Sequence, residues 1–140
     1  MNKIILVAFI SLFFIACNQS AKTVKNSDPL EAGREFINAS LTGDYDYAKK
    51  YLLEDSMNVM YFDRATEFYK NMNENEKKGY KNADIIISPK GIENISDSIS
   101  IINYSNTFKN KPSKLKLIKK NNEWLVDFKY TFLDSAYIFK

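Results

Sequence analysis

The 140-residue chain has no histidine and a single cysteine, Cys17, so its options for side-chain chemistry are narrow. Nucleophilic triads of the Ser–His or Cys–His kind need an imidazole to move the proton, and ordinary zinc or copper sites need imidazoles or several thiolates. Four glycines are spread too thinly for a phosphate-cradling loop. Carboxylates and nine tyrosines remain. A carboxylate base beside phenolic donors could move protons at carbon. Asp63 with Tyr61 and Tyr69 is the best such grouping, and its plainer reading is a helix cap near tyrosines spaced for a core. Asp44-Tyr45-Asp46 and Glu54-Asp55 suggest a hard cation, but neither continues into a calcium-loop spacing, and acids at helix starts account for both. No metal and no cofactor is expected.

The surroundings of Cys17 decide what that thiol is for. Met1-Asn2-Lys3 is short and polar, and Ile4 to Ile15 is apolar except for Ser11. Twelve residues fall short of the roughly 20 that span a bilayer core, but they suit the apolar region of a secretory signal. Phe14-Ile15-Ala16-Cys17 then resembles the lipobox of bacterial lipoproteins, with Phe14 where leucine is usual. The resemblance implies cleavage after residue 16 and acylation of Cys17, which anchors the protein to a membrane and leaves no thiol in the exported chain. Asn18, in place of an aspartate, implies the outer membrane. Residues 17–27 read as a lipidated tether, and ten polar residues reach about 5–6 Å × √10, roughly 17 Å.

The remaining 124 residues suffice for one domain, 28–140, and a chain that is 45% hydrophobic and 14% aromatic is not disordered. Charge is uneven. Residues 28–97 carry nine basic and fourteen acidic side chains, whereas 98–140 carry eight lysines and three acids. No acid lies between Asp97 and Glu123, a stretch holding Lys109, Lys111, Lys114, Lys116, Lys119 and Lys120. These could form a face for an anionic lipid, glycan or protein partner. The simpler reading is lysines on the solvent side of strands, guarding an edge. Nucleic acid is not expected of an exported protein.

The elements that must position these residues can be followed along the chain. Asp28-Pro29-Leu30-Glu31 starts a helix with a cap, a first-turn proline and a capping-box glutamate. Leu30, Arg34, Ile37 and Leu41 form its row, flanked by Ala32 and Phe36, and Gly43 ends it. Asp44 caps a second helix, Tyr45 to Leu53, with Ala48, Tyr51 and Leu52 inward. A third begins near Asp63, with Phe62, Ala65, Tyr69 and Met72 at helical spacing, and fades over Asn73–Gly79. Asp84–Ser88 is a short strand closed by Pro89 and Gly91. Ile95–Asn106 is strand-like, and its alternation shifts between Ile101 and Ile102, where a bulge or a bend is expected. Asn121-Asn122 turns Lys114–Lys120 into Trp124–Phe132, setting Leu117 against Val126, Leu115 against Phe128 and, on the other face, Lys116 against Asp127. Asp127 is therefore a poor base. This is an α+β layout, N-terminal helices packed on a curved antiparallel sheet.

Ala32…Phe36…Ala39…Gly43-Asp44-Tyr45…Ala48…Tyr51-Leu52, with Leu115-Lys116-Leu117-Ile118-Lys119…Trp124-Leu125-Val126, resembles the nuclear transport factor 2-like superfamily and its small bacterial lipoproteins of unknown function. The resemblance spans residues 28–132 and implies a cone, in which a bent sheet wraps a long helix and leaves an apolar pocket at its open end. It implies a non-catalytic domain that binds a small apolar ligand or an envelope protein, with dimerisation through the sheet as one mode. The alternative is a small-molecule isomerase or lyase with an Asp/Tyr pair in the cone. The C-terminal Phe132, Leu133, Tyr137, Ile138 and Phe139 are too apolar for a free tail and are expected to complete the core or the pocket mouth; an exposed patch for a partner is the other reading. Cys17→Ser should abolish incorporation of labelled fatty acid and release the protein from membranes, and continued labelling would overturn the lipobox reading.

Overall fold

Helix starts in this chain are set by short polar side chains that accept from the unpaired N–H groups of the first turn. The computed structural model describes residues 26–136. The expected signal segment 1–16, Cys17 and most of the 17–27 tether lie outside the described residues, as do Tyr137, Ile138, Phe139 and the side chain of Leu133. Asp28 opens α1 (Pro29–Thr42), accepting from the Glu31 N–H at 2.8 Å. Gly43, at φ 81°, closes it, and the N–H groups of Gly43 and Asp44 return to the carbonyls of Ser40 and Ala39. That pairing satisfies two orphan carbonyls and requires the left-handed backbone that glycine adopts without strain. Asp44 caps α2 (Tyr45–Lys49), which is shorter than the expected helix because Leu52 leaves it to bridge Val126.

The buried stripe of α1 is Ala32, Gly33, Phe36, Ile37, Ala39 and Leu41, whereas Arg34, expected in the row, is exposed. Gly33 makes the closest approach to the sheet: a methyl group there would run into the Ile102 side chain. The third helix, α3 (Ser56–Lys70), starts seven residues before Asp63 and is capped by Asp55, which accepts from the Asn58 N–H at 2.9 Å. Its inward positions are 58, 62, 65, 69 and 72. The first is a fully buried asparagine, so the apolar period becomes visible only from Phe62. The stretch expected to fade contains α4 (Glu74–Lys81), capped by Asn73 and carrying a Glu74–Lys77 pair. It buries no residue completely, hence its lack of an apolar signal. It is held through Gly79 and Tyr80, against which the Phe108 ring packs.

Four strands follow as an antiparallel meander, β1 (Ile85–Ser96), β2 (Ile99–Asn106), β3 (Ser113–Lys120) and β4 (Glu123–Val126), so the chain is α+β with helices leading into a curved four-stranded sheet. Pro89 and Gly91 kink β1 instead of ending it. Ile87 pairs with Tyr104 and Ile92 with Ile102, which leaves Ser88–Gly91 bulged opposite a single residue. The expected bulge at Ile101/Ile102 is absent, since β2 pairs with β3 without a break from Ile99 to Tyr104. The apparent phase shift arises because isoleucines occupy both faces: Ile102 is buried while Ile99 and Ile101 are half-buried on the opposite side.

Asn121 and Asn122, at φ 52° and 66°, form the two-residue turn that matches strand twist, and Leu117 pairs with Val126 as expected. The expected strand to Phe132 does not form. After the Asp127 N–H reaches the Lys116 carbonyl at 2.8 Å, the chain turns into α5 (Lys129–Ala136), so Leu115 and Phe128 are not a ladder pair. The outer edge of β4 is closed. Val126 and Leu53 donate to the carbonyls of Tyr51 and Val126 at 2.7 and 2.9 Å, and Trp124 donates to Asn26 at 2.8 Å. The core beneath is Phe36, Ile37, Phe62, Ile102, Leu115, Leu117, Trp124 and Val126 with the Tyr51–Leu52 corner.

A polar knot explains why the chain leaves the sheet. Buried Asn58 donates to Asp55 at 2.9 Å and to Asp127 at 3.2 Å, and its carbonyl accepts the Lys129 N–H at 2.8 Å. The Lys129 ammonium lies 2.7 Å from Asp55 and 2.9 Å from Asp127, with Lys116 3.4 Å from the other Asp127 oxygen. The hydrogen bond from Lys129, and then the Asn58 N–H, hold the Asp55 carboxyl below its usual value against burial. Burial depresses the Lys129 ammonium, but hydrogen bonds to Asp55 and Asp127 outweigh it and raise the group overall. Asp127 is thus on the lysine side, as expected, yet buried. Asn58→Ala would leave three groups short of a partner and should lower the unfolding free energy by about 2–4 kcal/mol in urea titration. A change within about 0.5 kcal/mol, typical of surface substitutions, would contradict that role.

Candidate ligand-binding cavity

Beyond the contact at Gly33, α1 and the sheet part around a cavity of about 490 Å³. Phe36, Ile37, Ser40 and Leu41 of α1 form its floor, continued by Tyr45. Arg64, Ala65, Phe68, Tyr69 and Met72, on successive turns of α3 and just past its end, form one wall. Tyr104, Asn106 and Ser113 at the end of β2 and the start of β3 form the other, and Phe128, Thr131 and Phe132 close the side towards α5. The position of Tyr104 follows from strand parity with Ile102, and that of Phe132 from the helix that replaces the expected strand.

Edge-to-face aromatic contacts hold the lining. Tyr45 meets Phe62 at 5.6 Å and Tyr69 at 5.5 Å between centroids, and Phe128 meets Phe36 at 5.3 Å and Phe132 at 5.1 Å. Burial pushes the Tyr45 phenol up to about 12, helped by the neighbouring Tyr69 and Tyr80. Burial likewise raises Tyr104 to about 12 against an opposing hydrogen bond with Ser113. These phenols are neutral at physiological pH, able to donate or accept one hydrogen bond each. Arg64 is the only charged side chain among the described residues lining the cavity.

The structure separates the expected Asp63, Tyr61 and Tyr69 grouping. Asp63 is exposed on the middle of α3 and caps nothing, because Asp55 caps that helix. Tyr61 stacks on Phe132 with centroids 5.1 Å apart and planes 14° from parallel. Tyr69 lines the cavity, packed over Gly43, with no carboxylate among the other described lining residues. Asp44 and Asp55 cap α2 and α3, and no group of three or more acidic residues suited to a metal ion exists among the described residues. Arg64, Tyr80 and Tyr104 are not singled out by the sequence, and Tyr45 is marked there as part of Gly43-Asp44-Tyr45 and not as a cavity residue. The helical period running through Ala65 and Tyr69 marks the face beside Arg64, and correct phasing of β2 would have brought in Tyr104.

The six lysines do not share one face. Strand parity puts Lys114, Lys116 and Lys120 on one side of β3 and Lys119 on the other, over roughly 20 Å, with Lys109 and Lys111 before it. Lys109 lies 4.9 Å above Phe108 and 5.6 Å above Tyr80. Lys116 is committed to Asp127, and Lys119 lies 5.9 Å above Trp124. Lys114 lines a neighbouring groove with Lys90 and Glu93, while Lys111 and Lys120 are exposed near opposite ends of β3.

No protein-family model matches the chain, and neither a curated protein nor a solved structure is found to be similar to it. Among the described residues, no helix is long and apolar enough to cross a membrane.

Rapid-mixing absorbance titration checks the lining. Burial favours the neutral phenol, so Tyr45 and Tyr104 should stay protonated through pH 10, the ordinary value for a free tyrosine, and ionise only towards about 12. Tyr104→Phe should remove one late-ionising phenol; an unchanged late amplitude would contradict its burial in the cavity wall.

Proposed function

We propose that this chain is a lipid-anchored cell-envelope protein, held at the outer membrane through Cys17, whose nuclear transport factor 2-like cone binds a small apolar molecule without transforming it. Helices followed by a curved antiparallel sheet support the cone reading, and the lipobox-like segment supports the anchor. The observation that carries the binding reading is the character of the cavity. At about 490 Å³ it is within the usual range for small-molecule sites. Its rings offer dispersion contact and its phenols offer hydrogen bonds. Among the described residues, no ionised base lines it. Such a lining binds and orients a ligand.

The test uses the full chain extracted from its own host's envelope. Native mass spectrometry should find a reproducible non-covalent added mass on the wild type, lost in Ala65→Phe, which places a ring in the cavity. Bare protein in both cases, with folding intact, would overturn the reading and favour contact with another envelope protein through the surface.

A further inference from the structure

The charge at the cavity mouth narrows what can enter. Arg64 lines the cavity yet is itself exposed, as are Phe68 and Phe132, so these three side chains mark the rim. The Arg64 guanidinium lies 6.0 Å from the centroid of the Tyr61 ring, and Tyr61 in turn stacks on Phe132. The aromatic pair therefore holds a cation beside the opening. Among the described residues Arg64 has no carboxylate partner, although acids flank it on α3 at Asp63 and Glu67; Glu67 pairs with Lys70 instead. A planar guanidinium with no ion-pair partner among the described residues, at the edge of an apolar cavity, matches a planar carboxylate through two parallel hydrogen bonds. Deeper in, the lining is mostly rings and aliphatic groups, with phenols, Ser40, Asn106, Ser113 and Thr131 as its uncharged polar groups, suited to an alkyl chain and unsuited to a second charge. One cation also suits a singly charged head better than a phosphate monoester, which carries nearly two charges at neutral pH.

We infer that the ligand class of this cavity is a single-chain alkyl carboxylate, its head paired with Arg64 at the rim and its chain lying among Phe36, Tyr45, Tyr104 and Phe128. The inference rests on the binding reading above and adds the ligand's polarity and direction of entry. Phe68 and Phe132 form the apolar lip over which the chain passes. Each further methylene that enters should tighten binding about fourfold until the cavity is full.

The experiment is native mass spectrometry of the full chain from a nonionic maltoside micelle, equilibrated with octanoate, decanoate, dodecanoate or dodecanol. One dodecanoate per chain should bind, more tightly than octanoate. Arg64→Gln should weaken dodecanoate about tenfold, the scale for one charge-assisted contact at an exposed site, and leave dodecanol unchanged. Arg64→Lys should recover part of the loss. Equal binding of dodecanol and dodecanoate, indifferent to Arg64→Gln but abolished by Ala65→Phe, would overturn the carboxylate assignment and leave the cavity as a binding site. Binding of neither, or binding untouched by Ala65→Phe, would overturn both.

Discussion

The arrangement depends on one buried asparagine. Asn58 sits where α3, the end of β4 and α5 converge, and its side chain ties the three together: to Asp55 at the cap of α3, to Asp127 just past β4 and to the first N–H of α5. With half-buried Lys129 bridging the same two carboxylates, the buried Asp127 charge is paired and the asparagine's hydrogen-bonding capacity is used on both sides. A half-satisfied version of such a knot would be worse than an apolar core, so the three elements are fixed together or not at all. Because Asp127 is drawn into the knot, β4 stops at Val126 and the first half of β3 has no strand neighbour on that side, pairing only with β2. The helix α5 fills that place, and the Thr131 hydroxyl donates to the Lys114 carbonyl at 2.9 Å. Phe128 and Phe132 thereby turn towards α3 instead of continuing along the sheet.

The cavity follows from where contact is close and where it is not. At Gly33 the absence of a side chain lets α1 touch Ile102 and seals one end. One turn further, the residues at the helix–sheet interface become Phe36, Ile37, Ser40 and Leu41 opposite Tyr104 and Asn106, and the gap widens. At the open end Phe108 rests on Gly79 and ties the β2–β3 connection to α4, so α4 is positioned despite burying no residue completely. The large side chains that could have filled the gap pack on each other instead, Tyr45 edge-to-face on Tyr69, and Phe132 of the lining stacked on Tyr61 beside it. An aromatic lining without a described carboxylate suits retention of a ligand more than turnover.

Much of this frame is legible in the sequence where a single local rule decides. Asp28, Gly43, Asp44 and the Asn121-Asn122 turn each act through the backbone within three or four residues, and each does what its type implies. The reading fails where distant parts override local pattern. Asn58 hides the start of α3 because a polar residue stands at a core position. Phe128–Phe132 has strand-forming composition but is helical, because Asn58, seventy-one residues earlier, holds the Lys129 N–H. The cavity shows the same split. Tyr69 falls in a visible period, while Arg64 gains its place only from the stacking of Tyr61 on a residue of α5. The six lysines looked like one feature in a row of letters, but the strand carries them apart and the rings and Asp127 engage several of them.

Amide hydrogen exchange at Lys129 tests the central dependence most directly. The first N–H of a surface helix has no partner in its own helix and ordinarily exchanges fast. Held by the buried Asn58 carbonyl, it should exchange only on global unfolding, with protection equal to that of the Leu115 and Leu117 amides in the core. Rapid exchange at Lys129 while those two stay protected would show that α5 and the cavity wall it carries form independently of Asn58, and would contradict the account.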